Sequence, residues 1–269
     1  NTQPDLFGGQ LSLFEEKVTL STPKSVTLQG NLFEEFTAEG QGDEKKSILT
    51  SLKTINSDYQ LIDTEEKRRE LYEILITSKI LALDTETTST DPIDAELVGM
   101  SFSIKENQAF YVPVPPNYDE AQKIVKEFQP IFENEEILKV GQNMKYDLLV
   151  LDNYGVELRG PMFDTMIAHY VLQPELRHNM DYLAEIYLNY ETIRIEELIG
   201  AKGKNQGNMR DLPAEAVYQY ACEDADVTLK LKNILEKELE TNSVSSLFYE
   251  IEMPLMPVLA QMERNRVRI

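Results

Sequence analysis

This chain reads as an α/β protein, a mixed central sheet flanked by helices. Three observations carry that reading. Short apolar runs with strand character alternate with stretches of helical period. One of those runs, Ile80-Leu81-Ala82-Leu83, is apolar on both faces, as a strand buried at the centre of a sheet must be. From Asp164 onward the pattern is mostly helical, which gives the sheet a cover.

Residues 1–50 are rich in Gly, Gln, Ser, Thr and Glu without sustained periodicity, and read as a flexible linker. The folded part begins near Asp58. Tyr59-Gln60-Leu61-Ile62 has strand character, and a helix from about Glu65 places Leu71, Ile74, Leu75 and Ser78 on one face. Asp63 and Glu66 are suited to cap it. After the central strand, Leu97–Phe102 and Ala109–Val112 form a strand pair joined at Lys105-Glu106-Asn107. A helix is expected over Asp119–Phe132 and a buried strand over Ile137–Val140. Gly141-Gln142-Asn143 then opens a helix with Asn143 as its N-cap and Met144, Leu148 and Leu151 as its buried stripe. Pro213 suits the first turn of a long final helix.

The composition narrows the chemistry. The 269 residues are 42% hydrophobic and 27% charged, ordinary for a folded domain. No apolar run reaches the length of a membrane span. The lone Cys222 excludes an internal disulfide and fits a reducing, cytoplasmic setting. Two histidines and one cysteine cannot build an ordinary zinc site, so any metal must be held mainly by carboxylates. A formal charge of −21 argues against a broad electrostatic grip on nucleic acid. It leaves room for a nucleic-acid end held in a local pocket where metal ions screen phosphate from carboxylate.

Three acidic signals follow. Asp84 and Glu86 end the buried strand two residues apart, so both side chains leave it on the same side. Two like charges that close repel unless a cation lies between them, which suggests magnesium or manganese held by oxygen. A solvated turn is the alternative for this pair alone. Asp147 lies in the first turn of its helix, where it also suits the helix dipole. Tyr220 and Asp224, at i and i+4, share one face of the long helix, and Ala221 and Ala225 beside them allow close approach to a sheet. A core tyrosine and a solvated aspartate are the alternative there. Glu223 and Asp226 fall on other faces and read as solvent charges. Asp164 reads as a helix cap.

Taken in order, Asp84-x-Glu86, Asp147 and Tyr220-x-x-x-Asp224 resemble the signature of the tyrosine-bearing DEDD exonucleases. The stretches Leu83–Thr87, Val140–Asp147, Asn153–Gly160 and Tyr220–Leu229 are similar to the 3′→5′ proofreading domain of the bacterial, family A DNA polymerase I group, of Klenow type. The resemblance runs from about Asp58 to the end. Ile251–Leu255 and Glu263-Arg264-Asn265 look like the family's entry into its polymerase domain, so the chain has the look of a piece of a longer protein. The resemblance implies an RNase H-like fold, with 51–245 as the exonuclease domain and 246–269 as the start of the polymerase connection.

It also implies two divalent ions, Mg2+ or Mn2+, with Zn2+ admissible at one site. Asp84 would bridge them, Glu86 and Asp224 would complete the first site, and Asp147 would hold the second. Tyr220 would orient the attacking water. The implied substrate is a single-stranded DNA 3′ end, shortened to 5′-mononucleotides, with Gln142, Asn143, Tyr146 and Arg177 at substrate-contacting positions. Two positions depart from the family pattern. Thr90 stands near an expected Leu and Ile195 near an expected Phe, where apolar side chains pack on the terminal bases. Lys202-Gly203-Lys204 lies in a Gly- and Asn-rich loop beside the implied DNA path. It lacks the hydroxyl residue and preceding strand of a P-loop. A related RNA-trimming DEDD nuclease, and a metal-free structural spacer, are the rival readings.

The linker repeats Gln-x-x-Leu-Phe at Gln3, Gln10 and Gln29. The motif resembles the peptide by which bacterial replication proteins dock on the sliding clamp. Gln10, Leu13 and Phe14 form the best copy, and linked copies raise avidity.

Overall fold

The computed structural model of the chain describes residues 49–203 and 205–266. The linker motifs, Lys204 and the last three residues lie outside the described residues. The elements run β1 (Thr50–Ser51), β2 (Asp58–Leu61), α1 (Glu65–Leu75), β3 (Ile80–Thr87), β4 (Leu97–Lys105), β5 (Gln108–Pro113), α2 (Tyr118–Glu127) and α3 (Gln129–Phe132). They continue with β6 (Leu138–Gly141), α4 (Met144–Asn153), β7 (Met162–Asp164), α5 (Thr165–Leu172), α6 (Met180–Leu188), β8 (Tyr190–Glu191) and α7 (Ile195–Ile199). A 3-10 turn at Met209–Asp211 precedes α8 (Ala214–Thr241), and α9 (Ser245–Leu247), a π-helical turn and α10 (Met253–Arg264) follow.

Six strands form one mixed sheet in the order β2-β5-β4-β3-β6-β7. β3 is central, antiparallel to β4 and parallel to β6. Leu81, Ala82 and Leu83 are fully buried, as a strand covered on both faces requires. α8 lies across β2, β3, β4 and β5. Ala221 and Ala225 have no exposed surface, so the small residues do permit close packing on the sheet. The opposite cover holds Phe102 against Phe128 and Phe132, with ring centroids 5.4 and 5.9 Å apart. These tilted pairs add roughly 1 kcal/mol each beyond their burial.

Several local expectations are corrected. α1 is capped by Thr64, whose hydroxyl accepts the Lys67 amide, and not by Asp63 or Glu66. Leu71 and Leu75 form its inner face while Ile74 is exposed. The helix expected over Asp119–Phe132 breaks at Phe128 into α2 and α3. Pro130 has no amide to donate and its ring crowds the carbonyl of Lys126, so one continuous helix is costly. Asn143 stands at the N-cap of α4 with left-handed backbone, φ 61°, and no capping bond from its side chain. Asp164 caps that helix through the Met144 amide at 2.6 Å, and caps α5 through Met166 and Ile167. One buried carboxylate thus satisfies orphan donors at two helix starts.

Glu223 and Asp226 are the largest correction, for both are fully buried. Glu223 accepts the Tyr190 hydroxyl and the Ile193 amide, each at 2.6 Å. Asp226 accepts the Tyr59 hydroxyl and the Asn107 amide at 2.7 Å and pairs with Lys230 at 2.8 Å. α8 is enclosed on both sides over this stretch, by the sheet on one and by α5 and α6 on the other. A face that would be solvated on a surface helix is interior here.

Candidate active site

β3 delivers Asp84 and Glu86 to the rim of the sheet, and α8 brings Asp224 over them. One carboxylate oxygen from each lies within 4.8 Å of the other two. Glu86 and Asp224 are buried and Asp84 half-buried. Burial pushes Asp84 up to about 6. Burial, then the charges of Asp84 and Asp147, pushes Glu86 well above the usual carboxylate range. Asp224 is raised likewise by burial, then by Asp84 and Glu86. Glu86 Oε1 is buried and accepts no hydrogen bond. An orphaned carboxylate oxygen inside an acidic trio fits a bound hard cation, which accepts oxygen ligands and removes the repulsion.

Asp147 enters from the first turn of α4. It is buried, and burial followed by the Asp84 charge raises it well above the usual range. Its Oδ1 accepts the Thr85 hydroxyl at 2.6 Å, so the residue between the two strand acids ties α4 to β3. Asp147 adjoins the three-oxygen cluster and is not part of it. Tyr220 lies one turn before Asp224. Burial, then Asp224, Glu86 and Asp84, holds its phenol far above the ordinary value, so it stays protonated. All five signature residues therefore converge on one end of β3, although Asp84 and Asp224 are 140 positions apart in the chain.

The four substrate-contacting positions are less uniform. Gln142 donates to the His178 carbonyl at 2.7 Å and accepts the Thr165 hydroxyl, so both ends of its amide are engaged within the protein. The Tyr146 hydroxyl joins Thr87 and the Ser89 carbonyl in the turn after β3. The Asn143 side chain makes no cap bond. Arg177 is exposed, with its guanidinium 6.0 Å from the Tyr182 ring centroid. Thr90 and Ile195 are both exposed.

Sequence reasoning missed Thr85 and Arg210. Arg210 donates to the carbonyls of Leu97 and Val114, beside the end of β3. A Thr between two site acids was an available signal. Nothing in the sequence marked Arg210.

Solved structures share this fold. Brucella melitensis NrnC with bound Mg2+ superposes with TM-score 0.59 at 19% identity, over 78% of this chain and 94% of that one. Escherichia coli RNase D, an exoribonuclease involved in structured RNA processing, gives TM-score 0.59 at 22% identity, over 76% of this chain and 51% of its own. The mixed sheet and its covering helices place the molecule in the RNase H-like fold class.

Within that class the family is defined by sequence. The chain belongs to the 3′-5′ exonuclease family of A-type DNA polymerases, which matches residues 59–240. DNA polymerase I of Borreliella burgdorferi is 33% identical over 94% of this chain and 27% of that protein. DNA polymerase I of Pseudomonas aeruginosa is 43% identical over 70% of this chain and 22% of that protein. The chain thus spans about a quarter of the length of these relatives. Among the described residues no helix is long and apolar enough to cross a membrane.

Proposed function

We propose that residues 51–245 hydrolyse the 3′-terminal phosphodiester of single-stranded DNA, one 5′-mononucleotide at a time, as the proofreading domain of a polymerase held in cis. Residues 246–269 begin the connection to that polymerase domain. The observation that carries the reading is the acidic trio with its orphaned Glu86 oxygen.

Asp84, Glu86 and Asp224 would hold divalent cation, and Asp147 a second one, as Mg2+ or Mn2+ or with Zn2+ at one site. When bound, such a pair supplies positive charge that acidifies water and neutralises the phosphate and the departing 3′ oxygen. The protein's own contribution is positional. β3 and α8 fix the carboxylates before substrate arrives, so the enzyme need not reorganise during the reaction. Tyr220 keeps its proton, and so it orients the attacking water by hydrogen bond and does not act as base. Asn143, Tyr146 and Arg177 line the approach of the 3′ end, and Gln142 reaches substrate only by exchanging a protein partner. Selection for single strands follows because a paired terminus must unpair before its last phosphate reaches the acids.

Matched DNA and RNA oligonucleotides, labelled at the 5′ end and incubated with magnesium, test the assignment. The DNA is expected to shorten stepwise from its 3′ end, and faster than the RNA. No shortening with either magnesium or manganese ends the reading, and preferential loss of RNA would favour an RNA-trimming role.

The linker supports a separate proposal, docking on a sliding clamp through Gln10, Leu13 and Phe14. A Leu-Phe pair can fill a partner's apolar pocket while Gln bonds at its rim. The peptide of residues 1–36 should bind the bacterial clamp, and changing Leu13 and Phe14 to Ala should weaken binding about tenfold or more. An unmodified peptide that shows no binding refutes it.

A further inference from the structure

Glu86 sits beside an irregularity in the β3–β4 pairing. β3 and β4 pair Glu86 with Gly99 and Thr87 with Leu97, so Val98 has no partner on β3 and forms a bulge. Bulges beside active sites bend a strand and re-aim the neighbouring side chain. The peptide groups freed by this bulge are taken up from elsewhere. The Leu97 amide donates to the Tyr154 hydroxyl at 2.9 Å. The Leu97 carbonyl accepts Arg210 Nη2, and the Val114 carbonyl accepts Arg210 Nη1 at 2.9 Å. The Asn208 amide group donates to the Thr88 carbonyl at 3.0 Å, two residues beyond Glu86. Asn208 also accepts the Arg210 backbone amide, and Met209 between them is buried. Across the pair, a Cβ at Gly99 would collide with the Tyr111 hydroxyl and ring edge, so the phenol packs directly over the residue opposite Glu86.

Glu86 Oε1 accepts no hydrogen bond from the protein. No donor fixes that oxygen, so its aim depends on the backbone beneath it. That backbone is held by the segment 208–210. We propose that Arg210 is a positioning residue for Glu86, clamping the β3–β4 bulge so that the carboxylate meets Asp84 and Asp224. Loss of the forked guanidinium leaves two carbonyls without their donor, and the bulge relaxes toward regular pairing.

The inference rests on the metal reading of Glu86, so the test is direct binding of Mn2+ to the metal-free protein, followed by calorimetry or by the loss of the free-ion paramagnetic signal. Arg210→Met is expected to weaken Mn2+ binding about tenfold. Arg210→Lys keeps one donor and should fall between it and the unaltered protein. It also serves if Arg210→Met does not fold. Thr64→Ala, which destabilises the fold at the α1 cap and away from the clamp, should leave Mn2+ affinity unchanged well below its melting temperature. In steady state, activity of Arg210→Met should be restored by raised manganese, with little change in the concentration of DNA required. If both Arg210 variants lose melting temperature but bind Mn2+ like the unaltered protein, Arg210 is only structural and the proposal is overturned. If Glu86→Gln leaves Mn2+ binding intact, the metal reading fails first.

Discussion

Asp84→Asn is expected to abolish magnesium-dependent shortening of single-stranded DNA, by roughly a thousandfold or more, while raising the melting temperature of the metal-free protein near neutral pH. The two effects share one cause. Asp84 is raised from an ordinary 3.8 to about 6, chiefly by burial. The fold therefore penalises its ionised form. Below the ordinary value the group is neutral in both folded and unfolded chains and costs nothing. As pH rises from about 4 through about 6 the unfolded chain gives up the proton first, and stability falls. Above about 6 the whole penalty is present. Glu86, Asp147 and Asp224 are raised as well, so their loss of protons weakens the fold in the same direction.

A shift of about two units corresponds to at most about 3 kcal/mol. In a domain of this size that is a gain of at most about 10 °C for an uncharged asparagine. Millimolar magnesium should reverse the order, because a ligand that binds only the folded state stabilises it by mass action and the variant has lost a ligand atom. Melting curves with chelator and with magnesium, taken across pH, check this. A variant that melts lower than the unaltered protein in chelator would show that Asp84 is not held under electrostatic strain.

How much of this was legible beforehand depended on how local each determinant is. β3 was legible because four successive apolar residues must be covered on both faces, and Asp84 and Glu86 follow at a spacing that fixes their common direction. Tyr220 and Asp224 were legible because a helix turn is a local rule. Asp164 was read as a cap, and it caps two helices. Glu223 and Asp226 were misread as solvent charges by that same local rule. Helical spacing gives the angle between faces, not which faces the rest of the chain covers. The enclosure of α8 is set by α5 and α6, which lie 35 or more positions before Glu223 along the chain. Arg210 was invisible because its partners are backbone carbonyls, and any residue type supplies those. Thr64 prevailed over Asp63 as the α1 cap by one position, a margin finer than spacing arguments carry.

The buried Asp226 sets the second large expectation. Asp226→Ala should destabilise the domain by about 3–5 kcal/mol, lowering the melting temperature by roughly 10 °C or more. Three donors lose their acceptor at once: the Tyr59 hydroxyl from β2, the Asn107 amide in the turn between β4 and β5, and the Lys230 ammonium one turn along α8. Lys230 retains the Asn107 side-chain oxygen, which offsets only part of the cost. Asn107 has φ 65°, and the carboxylate holds the amide of that left-handed turn. Asp226→Asn keeps an acceptor and most of the volume, so about half the loss is expected. Removing both charges, as in Asp226→Leu with Lys230→Met, should recover stability relative to Asp226→Ala, because no unpaired ion is left inside. Urea unfolding of the four proteins supplies the free energies. If Asp226→Ala costs less than about 1 kcal/mol, water reaches those donors. The acid would then contribute little to binding the sheet's edge strand to the helix that carries Asp224.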